Sequence, residues 1–487
     1  MPPGSESSKP NIPTLPRLLG FADSAQPTVL SPTYGAMLLA RSALAALLVL
    51  SATQLTQAIE AVKPARSLTI GPAYSGSSVN VVANRRHALF THDRTQFAAY
   101  YDVDHSLVLA RRTLGSDEWV TRRSEFRGNV KDAHNSISIA VDGAGIVHVS
   151  WDHHDNPLNY ARGVRPLDLE LVRVSGMTGV AEARVTYPEF HLLTGGDLLF
   201  LYRDGQSGRG RLVLNRYFVK QRAWLTVQSN LIDGEDARSP YWSLSVDRVG
   251  GVHLAWTWRE TPDVATNHDL AYAFSADGGA TWRTIAGASL NLPLTVATDA
   301  YAARIPTQRN LMNPPWITAD RRGRPYIVSY WSDALDTPAQ FRVVYPLRGD
   351  WRIETITRRR ERFELAGSGT RRPPISRGVL VIEGSNEEPA AHLVYRDDAL
   401  GSGALLLSTE RMGSGEWRER KLTRGSLGAW EPTIDPVQWQ RFQELHLLIQ
   451  PVQQRDGNDA EGAVASSTDI ASLIVDPREL RKGDPAP

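Results

Sequence analysis

The sequence predicts an all-β fold, a seven-bladed β-propeller built from four-stranded antiparallel blades. Three observations predict it. Short apolar strands separated by Gly, Asp and Asn run from residue 70 to 475 with no helical period. One hairpin motif recurs along that stretch, and tryptophans close several of its copies at intervals of a little over fifty residues or somewhat more, allowing one copy without a tryptophan between the first two, which is the size of a propeller blade.

The hairpin is the clearest repeat. Ser138-Ile-Ala-Val-Asp142-Gly-Ala-Gly145-Ile-Val-His148-Val-Ser-Trp151 aligns without a gap on Ser243-Leu-Ser-Val-Asp247-Arg-Val-Gly250-Gly-Val-His253-Leu-Ala-Trp256. Trp316-Ile-Thr-Ala-Asp320-Arg-Arg-Gly323-Arg-Pro-Tyr326 repeats it, and Gly196-Asp-Leu-Leu-Phe-Leu-Tyr202 is the second half of a copy that has lost its aspartate. Each copy reads as strand, Asp-x-x-Gly turn, strand. The closing tryptophans are Trp119, Trp224, Trp282, Trp351 and Trp417. Blade starts are expected near residues 87, 136, 187, 240, 312, 375 and 428, the last being weakly marked. Ser275-Ala-Asp277-Gly-Gly279-Ala-Thr-Trp282 has the form of an Asp box, a turn with a structural role only.

Flanking the repeats, residues 1–36 are rich in Pro, Ser and Gly and are expected to be disordered or an untranslated leader. Residues 37–61 have the layout of a signal peptide, with Met37 as the expected start of translation. The propeller is expected over 70–475, with a disordered tail over 476–487. The mature chain would be secreted or periplasmic, with no membrane span. The chain has 54 basic and 53 acidic side chains, which argues against a nucleic-acid partner. Only six of the basic residues are lysine. The absence of cysteine excludes disulfides, thiolate catalysis and cysteine-bound metals. A monomer is expected.

Measured from the hairpin turns, unusual polar residues collect at one end of the blades. His134 and Asn135 sit just ahead of a first strand, and Tyr187 and Tyr241 take corresponding places in the next two copies. His154, Arg203 and Arg259 lie where second strands exit, at the same end. The inner strands of a propeller border its central channel, so these side chains are expected to converge on one funnel-shaped site. Taken singly, each has a plainer reading as a hydrogen-bonded loop residue, a rim aromatic or a surface charge. His148 and His253 lie within second strands and read as structural, His153 should face away from His154, and His268 has no assigned role.

The segment Asp132-Ala-His134-Asn135, with Trp151-Asp-His-His154, Thr186-Tyr187-Pro188, Tyr202-Arg203-Asp-Gly205 and Trp256-Thr-Trp-Arg259, resembles the BNR-repeat propeller family. That family includes ulvan lyases and related rhamnosyl-glucuronate-cleaving enzymes. The resemblance implies a lyase that cuts an acidic polysaccharide by β-elimination. It implies proton transfer by His134, with Tyr187 as the acid, and carboxylate binding by Arg203 and Arg259. His154, Asn135 and Tyr241 are then substrate contacts. No cofactor is required by this chemistry, and a structural metal stays open: some relatives hold one with cysteines, which this chain lacks. The alternatives are a rhamnosidase-type hydrolase, for which Asp152 and Glu260 are the carboxylates to test, and a carbohydrate-binding propeller without turnover.

Overall fold

The computed structural model describes residues 65–83, 88–456 and 466–477, so the leader, the signal peptide and nearly all of the carboxy-terminal tail lie outside the described residues. Among the described residues, seven antiparallel sheets form the seven blades of a propeller. First strands begin at Leu89, Ser138, Val185, Ser239, Trp316, Val379 and Thr433, each within five residues of the start expected from the repeat spacing. Trp224, Trp282 and Trp351 lie in fourth strands, and Trp119 and Trp417 immediately precede one.

The repeated aspartates explain why the hairpins form. One carboxylate oxygen of Asp142 accepts from the backbone N–H of Ala144 and Ile146, and Asp247 does the same for Val249 and Gly251. Asp320 serves Arg322 and Arg324 likewise. In two copies the other oxygen meets a buried histidine, His148 or His253 (both 3.2 Å), whose opposite nitrogen meets the hydroxyl of Tyr160 or Tyr272. Those histidines are bridges inside their blades. The copy that lacks the aspartate has Gly196 at its turn in the left-handed region (φ 92°), where a Cβ would collide with the backbone of Gly143 in the neighbouring blade.

Blades are also tied side to side. Ser138 and Ser243, the first residues of the repeat, accept through their hydroxyls from Phe190 N and Ile317 N on the next inner strands. Blade seven is assembled from both ends of the ring: Thr433–Ile434, Leu445–Ile449 and Ser467–Val475 are completed by Ala65–Tyr74 as the outermost strand. A short helix, α1 (Pro436–Phe442), is capped by Asp435 and reaches Val246 O through Gln440 at the turn end of the blades. The opposite end carries the polar residues.

Candidate active site

Strand pairing places the hairpin ends as the spacing implied. Thr186 pairs with Arg203, and Ser239 pairs with Arg259. His134 lies in a 3-10 turn, Ala133–Asn135, whose cap is Asp132. Tyr187 is aimed by a bulge: the register shifts between Thr186 and Glu189, where Pro188 has no N–H to donate, and Tyr187 sits at φ 60°. A non-glycine residue in that region costs on the order of 1 kcal/mol, so the surrounding strands must hold it there.

His134, Tyr187, Tyr241 and Arg259 line one pocket. Asp132 binds both flanking histidines. Its Oδ1 lies 2.5 Å from His134 Nδ1 and its Oδ2 lies 2.6 Å from His154 Nδ1. The two imidazoles stack with centroids 4.1 Å apart, and the His134 ring is 5.8 Å from that of Tyr187. A carboxylate only accepts, so each Nδ1 carries its proton and the lone pair of neutral His134 is on Nε2. Burial opposes the charge on Asp132, but hydrogen bonds and charge from His134 and His154 overcome this and hold its carboxyl well below the usual range.

Tyr241 is the electrostatic centre of the opposite wall. Its hydroxyl oxygen accepts from Arg259 at 3.1 Å and from Arg203 at 3.5 Å. The Arg259 guanidinium stacks 4.2 Å from the Tyr241 ring, and the Arg203 guanidinium stacks 4.9 Å from the Tyr187 ring. Burial would raise the Tyr241 phenol, yet Arg259 and Arg203 outweigh it and bring the group down to about 8. Arg259 is fixed in turn by the side-chain oxygens of Asn267 and Asn313.

Three of the sequence-derived residues stand off the pocket wall. Arg203 is 1% exposed and lies behind the two tyrosines. Asn135 is buried, and its amide donates to Asn129 O at 3.1 Å. His154 reaches the site by stacking on His134 and through Asp132. His153 is buried against Asn159, on the other side of the chain from His154. His268 bridges Glu260 and Asp269, which raise its affinity for a proton against the effect of burial.

Sequence reasoning gave no role to Asp132, although its place two residues before His134 was a signal. Arg371, Arg372, Arg377, Arg396 and Glu431 also line the pocket. Arg396 follows Tyr395 at the exit of a second strand as Arg203 follows Tyr202, and Arg377 and Glu431 lie two residues ahead of first strands, so spacing could have found these three, whereas Arg371 and Arg372 lie on a connection outside the repeat. Among the described residues, Glu431 is the single carboxylate on this wall, and it is paired with Arg377 at 2.8 Å. Asp152 and Glu260, the carboxylates considered for hydrolysis, do not line it: Asp152 accepts from Asn129 N, and Glu260 is held by Arg238 and His268.

A family model described as "BNR repeat-containing family member" matches residues 95–359. An ulvan lyase (long isoform) from Glaciecola sp. (strain KUL10) is 26% identical over 157 residues, which is 23% of this chain and 15% of that protein. Among solved structures, the polysaccharide lyase Uly1 superposes with a TM-score of 0.63 at 15% identity, covering 85% of this chain and 99% of the other. A PL25 ulvan lyase solved with -[GlcA(1-4)Rha3S]- superposes with a TM-score of 0.60 at 14% identity, covering 82% and 100%. At these identities the structural likenesses speak for the fold.

Proposed function

Since the chain belongs to the BNR repeat-containing family, we propose that it is a polysaccharide lyase cleaving uronic-acid-containing, ulvan-like rhamnose/glucuronate glycans by β-elimination. The observation that carries the reading is the pairing of a carboxylate-held imidazole, His134, with a phenol in a pocket whose charged lining, among the described residues, is five arginines and one glutamate. Such a pocket selects an anion. The ulvan lyase relative and the oligosaccharide-bound PL25 structure support the same substrate class.

The chemistry follows from what the bond requires. Neutral His134 takes the C5 proton through Nε2, the C4–O4 bond breaks with its electron pair leaving on oxygen, and C4 and C5 become doubly bonded. Charge building on the uronate carboxylate is met by Arg259 and the Tyr241 hydroxyl, with the Arg203 charge behind them. Tyr187 delivers the proton to departing O4. Asp132 sets the tautomer of both histidines and stabilises imidazolium. Nothing in these steps calls on a cofactor. On this reading the enzyme works outside the cytoplasm, secreted or periplasmic, as a monomer on an acidic polysaccharide. Hydrolysis is disfavoured because two carboxylates flanking the scissile bond are needed and, among the described residues, the pocket wall offers one, already paired.

Incubation with ulvan should generate the ultraviolet absorbance of an unsaturated uronate, and His134→Ala should lower that rate about 10²- to 10⁴-fold with an unchanged thermal melt. Reducing ends without absorbance would establish a hydrolase, and binding without either would establish a lectin-like module. Full activity in His134→Ala would overturn the assignment of the base.

A further inference from the structure

Residues 358–377 cross the site face from the outer strand of blade five, Asp350–Thr355, to the first strand of blade six, Val379–Glu383. The crossing is pinned along its length. Asn310 donates to Phe363 O and accepts from Leu365 N, and Asp263 accepts from Gly367 N at 2.6 Å. Thr370 Oγ1 lies 3.4 Å from His134 Nδ1, and Arg372 pairs with Asp398 at 2.6 Å. The segment therefore runs from the rim of the ring to the candidate base.

Its charge is unlike that of the rest of the chain. Seven of its residues are arginine and two are glutamate, in a protein whose formal net charge is +1. Arg359, Arg372 and Arg377 are paired with Asp397, Asp398 and Glu431. Among the described residues, Arg358, Arg360, Arg362 and Arg371 have no carboxylate partner. Arg371 lines the pocket, with its Nε shut off from solvent and lacking a hydrogen-bond acceptor. Its guanidinium lies against Gly367 (φ 87°), where a Cβ would overlap it. At the outer end, Arg358 and Arg360 face a groove of mixed charge, shared with Trp417 and Arg418 of blade six and with the carboxylates of Glu361, Asp397, Glu416 and Glu419.

We propose that this crossing is a second anion-binding element for the polysaccharide: Arg371 takes an acidic substituent on the sugar beside the cleaved unit, while Arg358 and Arg360 hold charges farther along the chain. The proposal rests on the lyase reading of the pocket. A sulfate ester and a second carboxylate present the same paired acceptors to a guanidinium, so the shared chemistry is a forked oxyanion.

Two variants test it, Arg371→Gln and the double variant Arg358→Gln/Arg360→Gln, whose positions are exposed enough to leave folding intact. The double variant should raise the KM for polymer relative to that for a tetrasaccharide about fivefold and flatten the salt dependence. Arg371→Gln should raise KM for both substrates about tenfold. An Arg371 effect lost on desulfated polymer assigns a sulfate, and one that persists assigns a carboxylate. Binding is also read without turnover, by retardation in gels containing ulvan. Retardation that depends on these arginines in a protein yielding no unsaturated product keeps the arm and removes the lyase. An unchanged KM ratio together with unchanged retardation in both variants overturns the proposal.

Discussion

At the scale of single residues, the site depends on how charges are distributed around two rings. His134 has a carboxylate behind it, which keeps its proton on Nδ1 and its lone pair on Nε2, and Tyr241 has two guanidiniums, which make its phenol more acidic. The Tyr241 value of about 8 sets a pH limit whose sign follows directly. Below it the phenol is neutral and can donate to a uronate carboxylate; above it a phenolate would repel that carboxylate. The kcat/KM is therefore expected to fall about tenfold per pH unit above the Tyr241 value, and Tyr241→Phe should abolish that alkaline limb while lowering kcat/KM at neutral pH. A pH–rate profile of both proteins checks this. An alkaline limb that survives in Tyr241→Phe belongs to another group.

At the scale of the element, each hairpin joins a turn built for stability to strand ends that carry function. Asp247 supports two backbone N–H groups and the buried His253, which itself leans on Tyr272. Replacing it by alanine leaves those donors unsatisfied, at about 2–3 kcal/mol. Asp247→Ala should lower the midpoint of chemical denaturation accordingly, yet keep kcat/KM per folded molecule, because the turn and the site are at opposite ends of the strands. Lost activity at full folding would mean the two ends are coupled. The Tyr187–Pro188 bulge shows how an element departs from the repeat where the site needs it.

At the scale of the whole molecule, the ring is held shut by a strand from one end of the described chain paired to a strand from the other. Ala65–Tyr74 lies along Ser467–Val475 through nine registered pairs. Removing it would leave blade seven with a bare edge and the ring without its closure. Deletion of residues 65–74 should therefore broaden or split the unfolding transition and open the chain to limited proteolysis, whereas a single sharp transition would show that closure lies elsewhere. Because the blades converge on one axis, small shifts in closure would also reach the pocket, whose walls come from several of them.

By itself the sequence determined the number and placement of the blades, because hairpin turns and strand alternation are local patterns that repeat. It also determined which strand ends carry His134, Tyr187, Tyr241 and Arg259, since distance from a turn fixes the end of a hairpin on which a residue lies. Only the tertiary structure decided which of the candidates form the wall. Arg203 lies behind the tyrosines and the Asn135 amide is spent on Asn129, because the depth of a side chain depends on neighbouring blades. It alone brought Thr370 beside His134 and Arg371 to the same pocket, since a connection with no repeat and no period acquires its position from the elements it crosses.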